Sequence, residues 1–255
     1  MLAFMIDSHV HSVFRSFEDF EALSFTGLTD VVSLAFYPVI PSGSTTLIDH
    51  FRHIIEAEPV RLSGSYIRVH PAIGVHPRCI PPDVQSVFKY MKKVVDNCVA
   101  VGEVGLELAT NMELEVLREQ LKLSKEKDLP AIIHTPRKEK RIITAKIIDV
   151  LREIGYFNVV IDHVNFENID LVADLDVYIG LTVQRSKLNP EDLFKIVEEY
   201  VISNPEKFIL NTDLGRDPSD LFSLPKSIQF LRVKGVDKDV IRLISEKNAS
   251  SLFRI

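Results

Sequence analysis

Cysteine is nearly missing from this chain of 255 residues, which holds only Cys79 and Cys98. Two so far apart build neither a disulfide framework nor a Cys-x-x-Cys metal knuckle, so packing is their expected role and a reducing compartment is implied. Long apolar runs are missing too, and nothing approaches the roughly 20 residues that a membrane-crossing helix requires. The amino terminus enters an apolar run at once, without the basic segment and small-residue cleavage site of a secretory signal, so a cytoplasmic location is expected. Positive charge is not in excess either. A net charge of -6 argues against a basic surface that coats nucleic acid, while leaving room for a local patch in a cleft. Low-complexity tracts, linkers and internal repeats beyond a β/α alternation are absent. What remains, 46% hydrophobic and 26% charged residues, is the composition of a soluble globular protein with a substantial core.

That alternation supplies the fold. Leu2 to Ile6, Val31 to Phe36, Tyr66 to Ile73, Val99 to Val101, Ala131 to Ile133, Val159 to Ile161, Val177 to Leu181 and Phe208 to Leu210 read as short buried strands. Amphipathic helices separate them. Val84, Val87, Phe88, Met91, Val94 and Val95 recur at helical spacing after Pro82-Asp83, and a helix carrying Ile143, Ile147, Val150, Leu151 and Ile154 is stopped by Gly155. Strands alternating with helices predict a parallel sheet covered by helices, and eight such units predict a closed (β/α)8 TIM barrel formed by residues 1–255 as a single α/β domain.

In such barrels the chemistry stands at the carboxyl ends of the strands. His9 and His11 follow strand one, Gly74-Val75-His76-Pro77 strand three, Gly102-Glu103 strand four, His134 strand five, His163 strand six and Thr212-Asp213 strand eight. Five of the eight histidines thus share one rim, whereas His50 and His53 fall on a helix surface where solvation or partial packing is expected. Histidines at i and i+2 on an extended backbone point to one side and can converge on one ion. Neutral imidazoles with Glu103 and Asp213 form a mixed nitrogen and oxygen set with donors enough for two divalent ions. Glu103 could bridge them, and Asp213 could serve as ligand and as general base for an attacking water. Asp7 and Asp162 precede the histidines, so structural hydrogen bonding is expected of both.

In order, Asp-x-His-x-His at 7–11, Gly-Val-His-Pro at 74–77, Gly-Glu-Val-Gly-Leu-Glu at 102–107, Ile-Ile-His-Thr-Pro-Arg at 132–137, His163, Leu-Asn-Thr-Asp at 210–213 and Asn-Ala-Ser-Ser-Leu-Phe at 248–253 resemble the TatD-related metal-dependent hydrolases of the amidohydrolase superfamily. The resemblance implies that His9 and His11 hold one metal, Glu103 bridges, His134 and His163 complete the second site, and Asp213 acts as ligand and base. It also implies divalent-metal-dependent DNase or other phosphodiesterase activity, with zinc, manganese, magnesium or iron as candidate ions. Where the family carries a His-Cys-Phe-Ser-Gly segment this chain has His163-Val164-Asn165-Phe166-Glu167, and Asn211-Thr212-Asp213-Leu214-Gly215 replaces Glu-Thr-Asp-Ser-Pro. Both changes spare the ligands and mark a divergent branch.

The loops of the same rim are rich in cations: Arg15, Arg78, Arg137, Lys138, Lys140, Arg141, Arg185, Lys187 and Arg216. The cluster from Arg137 to Arg141 lies at a helix start, where the dipole disfavours positive charge, so an anionic partner is expected there. His76 and Arg137 are the candidate substrate contacts, and the expected substrate is single-stranded DNA or a small phosphoester. Amide or lactone hydrolysis, phosphomonoester hydrolysis of the histidinol-phosphatase type, and a metal-stabilised barrel that binds nucleic acid or protein without turnover are the alternatives.

Overall fold

The structure, a computed structural model, describes residues 4–216 and 218–255. Its eight strands are β1 Met5–Val10, β2 Leu28–Leu34, β3 Arg68–Ile73, β4 Ala100–Gly105, β5 Ala131–His134, β6 Val159–Ile161, β7 Tyr178–Thr182 and β8 Phe208–Asn211. They form one sheet in sequence order with every neighbouring pair parallel, and the helices lie between them in the chain, as in a TIM barrel. The last strand returns to the first. Val10 bridges Leu214, and the His11 N–H donates to the Leu214 carbonyl at 2.8 Å. Beneath that bridge the buried Asp7 carboxylate accepts the Thr212 N–H at 3.0 Å and the Thr212 hydroxyl at 2.5 Å. Asp7 therefore has the structural role expected of it, and that role is to stitch β1 to β8.

Period-two alternation divides the core into two layers. Ile6, Val32, Ala72, Ala100, Ile132, Val160 and Ile209 form one cluster with Phe253 of the closing helix Asn248–Phe253. Neighbouring strand residues such as Val31, Ile73, Val101, Ile133 and Ile161 pack instead with helix residues such as Leu117, Leu121 and Ile147. His134, two positions beyond Ile132, continues the inner row onto the rim. No helix among the described residues is long and apolar enough to cross a membrane.

Several boundaries differ from the sequence reading. Of the expected first strand, Leu2 and Ala3 lie outside the described residues; β1 runs on to Val10 and so contains His9. β2 begins at Leu28 rather than Val31 because Asp30, which reads as a loop residue, is buried and paired. Its carboxylate meets His70 Nε2 at 2.7 Å and Arg68 Nε at 2.7 Å on β3. After β2 a helix, Ser44–Arg52, starts at Ser44, whose backbone N–H donates to Asp83 Oδ1 at 2.7 Å.

Asp30 gives a test of the fold. Burial alone would raise its pKa, but the bonds from His70 and Arg68 hold it down at about 2. A depressed carboxylate stabilises the fold above its unfolded pKa and loses that contribution as pH falls through the folded value. Asp30→Asn is expected to cost on the order of 1–2 kcal/mol at pH 7, discounted for the exposed Arg68, with the deficit shrinking between about pH 4 and pH 2. Urea unfolding of both proteins at those pH values measures it.

Candidate metal centre

The six expected ligands come together over the inner layer of the core. Glu103, on β4 and 2% exposed, stands at the centre. Its Oε2 lies 3.4 Å from His9 Nε2, on β1, and 3.5 Å from His11 Nε2, directly after that strand. Its Oε1 faces the other way, 3.0 Å from His134 Nδ1, 3.3 Å from His163 Nε2 and 3.7 Å from His76 Nε2. Asp213, just past β8, closes the first group with Oδ1 at 3.1 Å from His11 Nε2 and 3.7 Å from His9 Nε2. Its backbone φ is 51°, and that of His163 is 61°; both side chains are thus carried by left-handed turns at strand ends.

Local bonds decide which ring nitrogens face inward. His9 Nδ1 is 2.7 Å from Asp162 Oδ2, and His11 Nδ1 donates to the Leu34 carbonyl at 3.0 Å. These bonds turn Nδ1 outward in both rings and leave Nε2 facing Glu103 and Asp213. His9 Nε2 is fully buried and makes no hydrogen bond of good geometry. His76 is set the opposite way. The Arg78 N–H donates to its Nδ1 at 3.1 Å, so the neutral ring carries its proton on Nε2, toward the cleft.

Charge tells the same story. Burial opposes the charged form of His9, yet Glu103 and Asp162 hold its pKa well above the ordinary histidine value. His11, equally buried, is lifted to about 9 by Asp213 and Glu103. Burial pushes His76 down to about 3, and burial with Lys187 depresses His163. Glu103 stays far below the carboxylate range because His76, His9, His11 and His134 outweigh its burial. Carboxylates that draw protons onto neighbouring imidazoles mark a site that demands cationic charge, and divalent ions meet that demand while displacing the protons.

The donor set fits such ions. His9, His11 and Glu103 bring one donor atom each to within 4.8 Å of one another, and so do His76, Glu103 and His134. Nitrogen and carboxylate oxygen without thiolate suit zinc, manganese, iron or magnesium. The second trio differs from the expected His134 and His163 pair. His163 lies at hydrogen-bond distance from Glu103, but its Nδ1 faces Thr182 Oγ1 at 2.8 Å and Lys187 Nζ at 2.9 Å.

Above these residues opens a cleft of about 670 Å³. Of the nine rim cations, Arg78, Arg137, Lys140, Arg185, Lys187 and Arg216 line it. Arg15 and Arg141 are instead paired with Asp19 and Asp170. The expected helix-start cluster is therefore split: Lys140 turns inward and is buried, Arg137 faces the cleft, and Arg141 faces outward. Lys140 donates to Thr135 Oγ1 at 3.0 Å and to the His163 carbonyl at 2.8 Å, and burial lowers its pKa to about 8.

Sequence reasoning missed three partners. Asp162 makes the structural hydrogen bonds expected of it, but one of its partners is His9, which was not foreseen; Asp162 lies past the end of β6, where strict alternation lapses. Glu107, the second acid of Gly-Glu-Val-Gly-Leu-Glu, reaches His134 Nε2 at 2.9 Å. Lys187 is more than a rim cation, since its ammonium is bonded to the Asp213 carboxylate. The position of Glu107 inside a recognised motif was an available signal; for Lys187 there was none.

Comparison with known proteins adds the lineage. Residues 6–254 match the profile of the TatD-related DNases. An uncharacterised metal-dependent hydrolase of Methanocaldococcus jannaschii is 38% identical over 98% of this chain and 100% of its own. A crystal structure of a TatD-like protein from Archaeoglobus fulgidus superposes with a TM-score of 0.84 at 38% identity, covering 98% of this chain and 100% of that one. A putative deoxyribonuclease, tatdn3, of Danio rerio is 27% identical over 97% of this chain and 96% of its own.

Proposed function

Because this chain belongs to the TatD-related DNase family and is a metal-dependent hydrolase, we propose that it cleaves phosphodiester bonds, with single-stranded DNA as the first substrate to examine. The observation that carries this reading is the joining, in one cleft, of the candidate ligand set and six cationic side chains. A neutral amide or lactone has no use for so many cations. A phosphodiester with flanking phosphates does. The name of the Danio rerio relative points the same way.

The residues divide the work. His9, His11, Glu103 and Asp213 would hold one divalent ion; Glu103 with His134 and His163, whose Nε2 lies 3.3 Å from Glu103 Oε1, would hold a second, His76 being kept for the substrate. Such ions supply Lewis-acid polarisation of a phosphoryl oxygen and acidify the attacking water. Asp213 is placed to take that water's proton, because its carboxylate reaches the cleft and is ionised at neutral pH: burial works against its charge, but Lys187, His11 and His9 prevail. His76 would donate its Nε2–H to a phosphoryl oxygen without carrying charge of its own. Arg137 and Lys187 offset charge on the phosphate and hold it in line.

Chelator-stripped protein incubated with end-labelled single-stranded DNA tests the reading. Shortening of the strand is expected only after magnesium, manganese or zinc is restored. Two bound ions per chain without cleavage of DNA or of a small phosphodiester would remove the phosphodiesterase assignment and favour amides and lactones.

A further inference from the structure

The strongest unassigned arrangement is a buried contact that crosses the barrel from β6 to β1. Asp162 is 0% exposed, and its backbone is pinned at both ends: its N–H donates to the Ile133 carbonyl at 2.8 Å, and its carbonyl accepts the Thr135 hydroxyl at 2.7 Å. The two carboxylate oxygens have separate tasks. Oδ1 accepts Asn211 Nδ2–H at 2.6 Å, from β8, while Oδ2 takes the His9 Nδ1–H at 2.7 Å, from β1. Asn211 and His9 are also 0% exposed, so no water competes for either bond.

The fourth participant is an absence. Gly180, in the middle of β7, sits where a Cβ would fall 1.5 Å from Asp162 Oδ1 and 2.6 Å from its Cγ. Asp162 thus occupies the volume that any other residue at position 180 would fill. Its φ is not in the left-handed region, so backbone conformation does not explain the glycine. Room for a carboxylate does.

The geometry points to Asp162 as a positioning residue that, with Gly180 and Asn211, fixes the ring of His9 so that its Nε2 lone pair faces Glu103 and Asp213. The inference rests on the metal-site reading above. A ring with its proton fixed on Nδ1 cannot turn its lone pair away, and a negative partner on that proton makes the far nitrogen a stronger donor to a cation. With the carboxylate gone, the His9 proton can shift to Nε2 and block the lone pair.

Metal titration calorimetry on chelator-stripped wild type, Asp162→Asn and Gly180→Ala, beside thermal melts of the same metal-free proteins, provides the test with manganese and zinc as probes. Asp162→Asn is expected to weaken ion binding about 10- to 100-fold, the usual cost of losing an outer partner of a ligating histidine. Its metal-free melting temperature should move much less than the melting temperature with metal. An equal fall in both, with affinity unchanged, would mean that Asp162 only holds the barrel together and would overturn the inference. Wild-type protein that binds neither ion would instead remove the metal-site reading itself.

Gly180→Ala is expected to weaken binding in the same way by displacing the carboxylate. If that variant does not fold, the pair Asp162→Ala and Asp162→Ala with Gly180→Ala still decides the matter. In that background the two closest atoms are gone and only Asn211 Nδ2, at 3.1 Å, need give by a few tenths of an ångström, so the alanine should be far better tolerated and the two changes strongly non-additive. An alanine at 180 that is equally damaging with or without the Asp162 carboxylate would refute the steric link.

Discussion

Glu103→Gln is expected to abolish metal-dependent hydrolysis, beyond the roughly 10- to 100-fold that loss of an outer partner costs. The two oxygens of Glu103 face different halves of the histidine set, His9 and His11 on one side and His134, His163 and His76 on the other. Glutamine keeps the shape but offers one acceptor and one donor where two anionic oxygens stood. The amide would turn its N–H groups toward one set of imidazoles and oppose any cation there. Ion stoichiometry by elemental analysis should therefore fall from the two per chain proposed above to at most one. The rise in melting temperature that metal gives the wild type should shrink with it. Retention of both ions and of activity would exclude Glu103 as the bridge.

Asp213→Asn acts on a different step. Its carboxylate is 23% exposed at the side chain, the most open of the acidic candidates that contact His9 and His11, and so the one that an attacking water can reach. Asparagine cannot accept the proton. A loss in kcat of about 10²- to 10⁴-fold is expected, the range for removal of a general base, with KM for the oligonucleotide changed far less. Ion binding should weaken but persist through His9, His11 and Glu103. The sign of the pH dependence follows from the depressed pKa of Asp213. Since its base form is already present at neutral pH, lowering the pH toward 5 should not cost the wild type activity through Asp213 itself. Steady-state rates across pH for both proteins, compared with ion occupancy, separate this loss from loss of metal.

The fold was legible because strand length and helix spacing are set by burial, and burial writes itself as apolar periodicity. The eight strands were all placed by that signal, although β2 was begun late at Val31, because a charged residue at 30 reads as the end of a strand rather than as a buried ion pair with β3. The rim residues were legible for a related reason: reactive side chains stood at the ends of the apolar runs. Partners across the barrel were not. Asp162 meets a residue 153 positions away, and nothing in its neighbourhood in the chain announces that. Gly180 is still less visible, because its role is to leave space for a side chain of another strand. The helix-start cations could be read as a cluster, but their division into inward Lys140, cleft-facing Arg137 and outward Arg141 depends on helix phase at a turn. One residue of uncertainty there turns a side chain by about 100°.

The Asp7–Thr212 stitch joins residues 205 positions apart, and the candidate ligands His9, His11 and Asp213 lie on or directly after the two strands that it draws together. Contacts of such separation carry the largest loop-closure cost and form late in folding. A chain emerging from the ribosome therefore has its histidine pair long before it has the acid that completes the cluster. Capture of an ion by His9, His11 and Asp213 together must wait until β8 has been synthesised and docked. Folding order thereby delays hydrolytic competence until the barrel has closed.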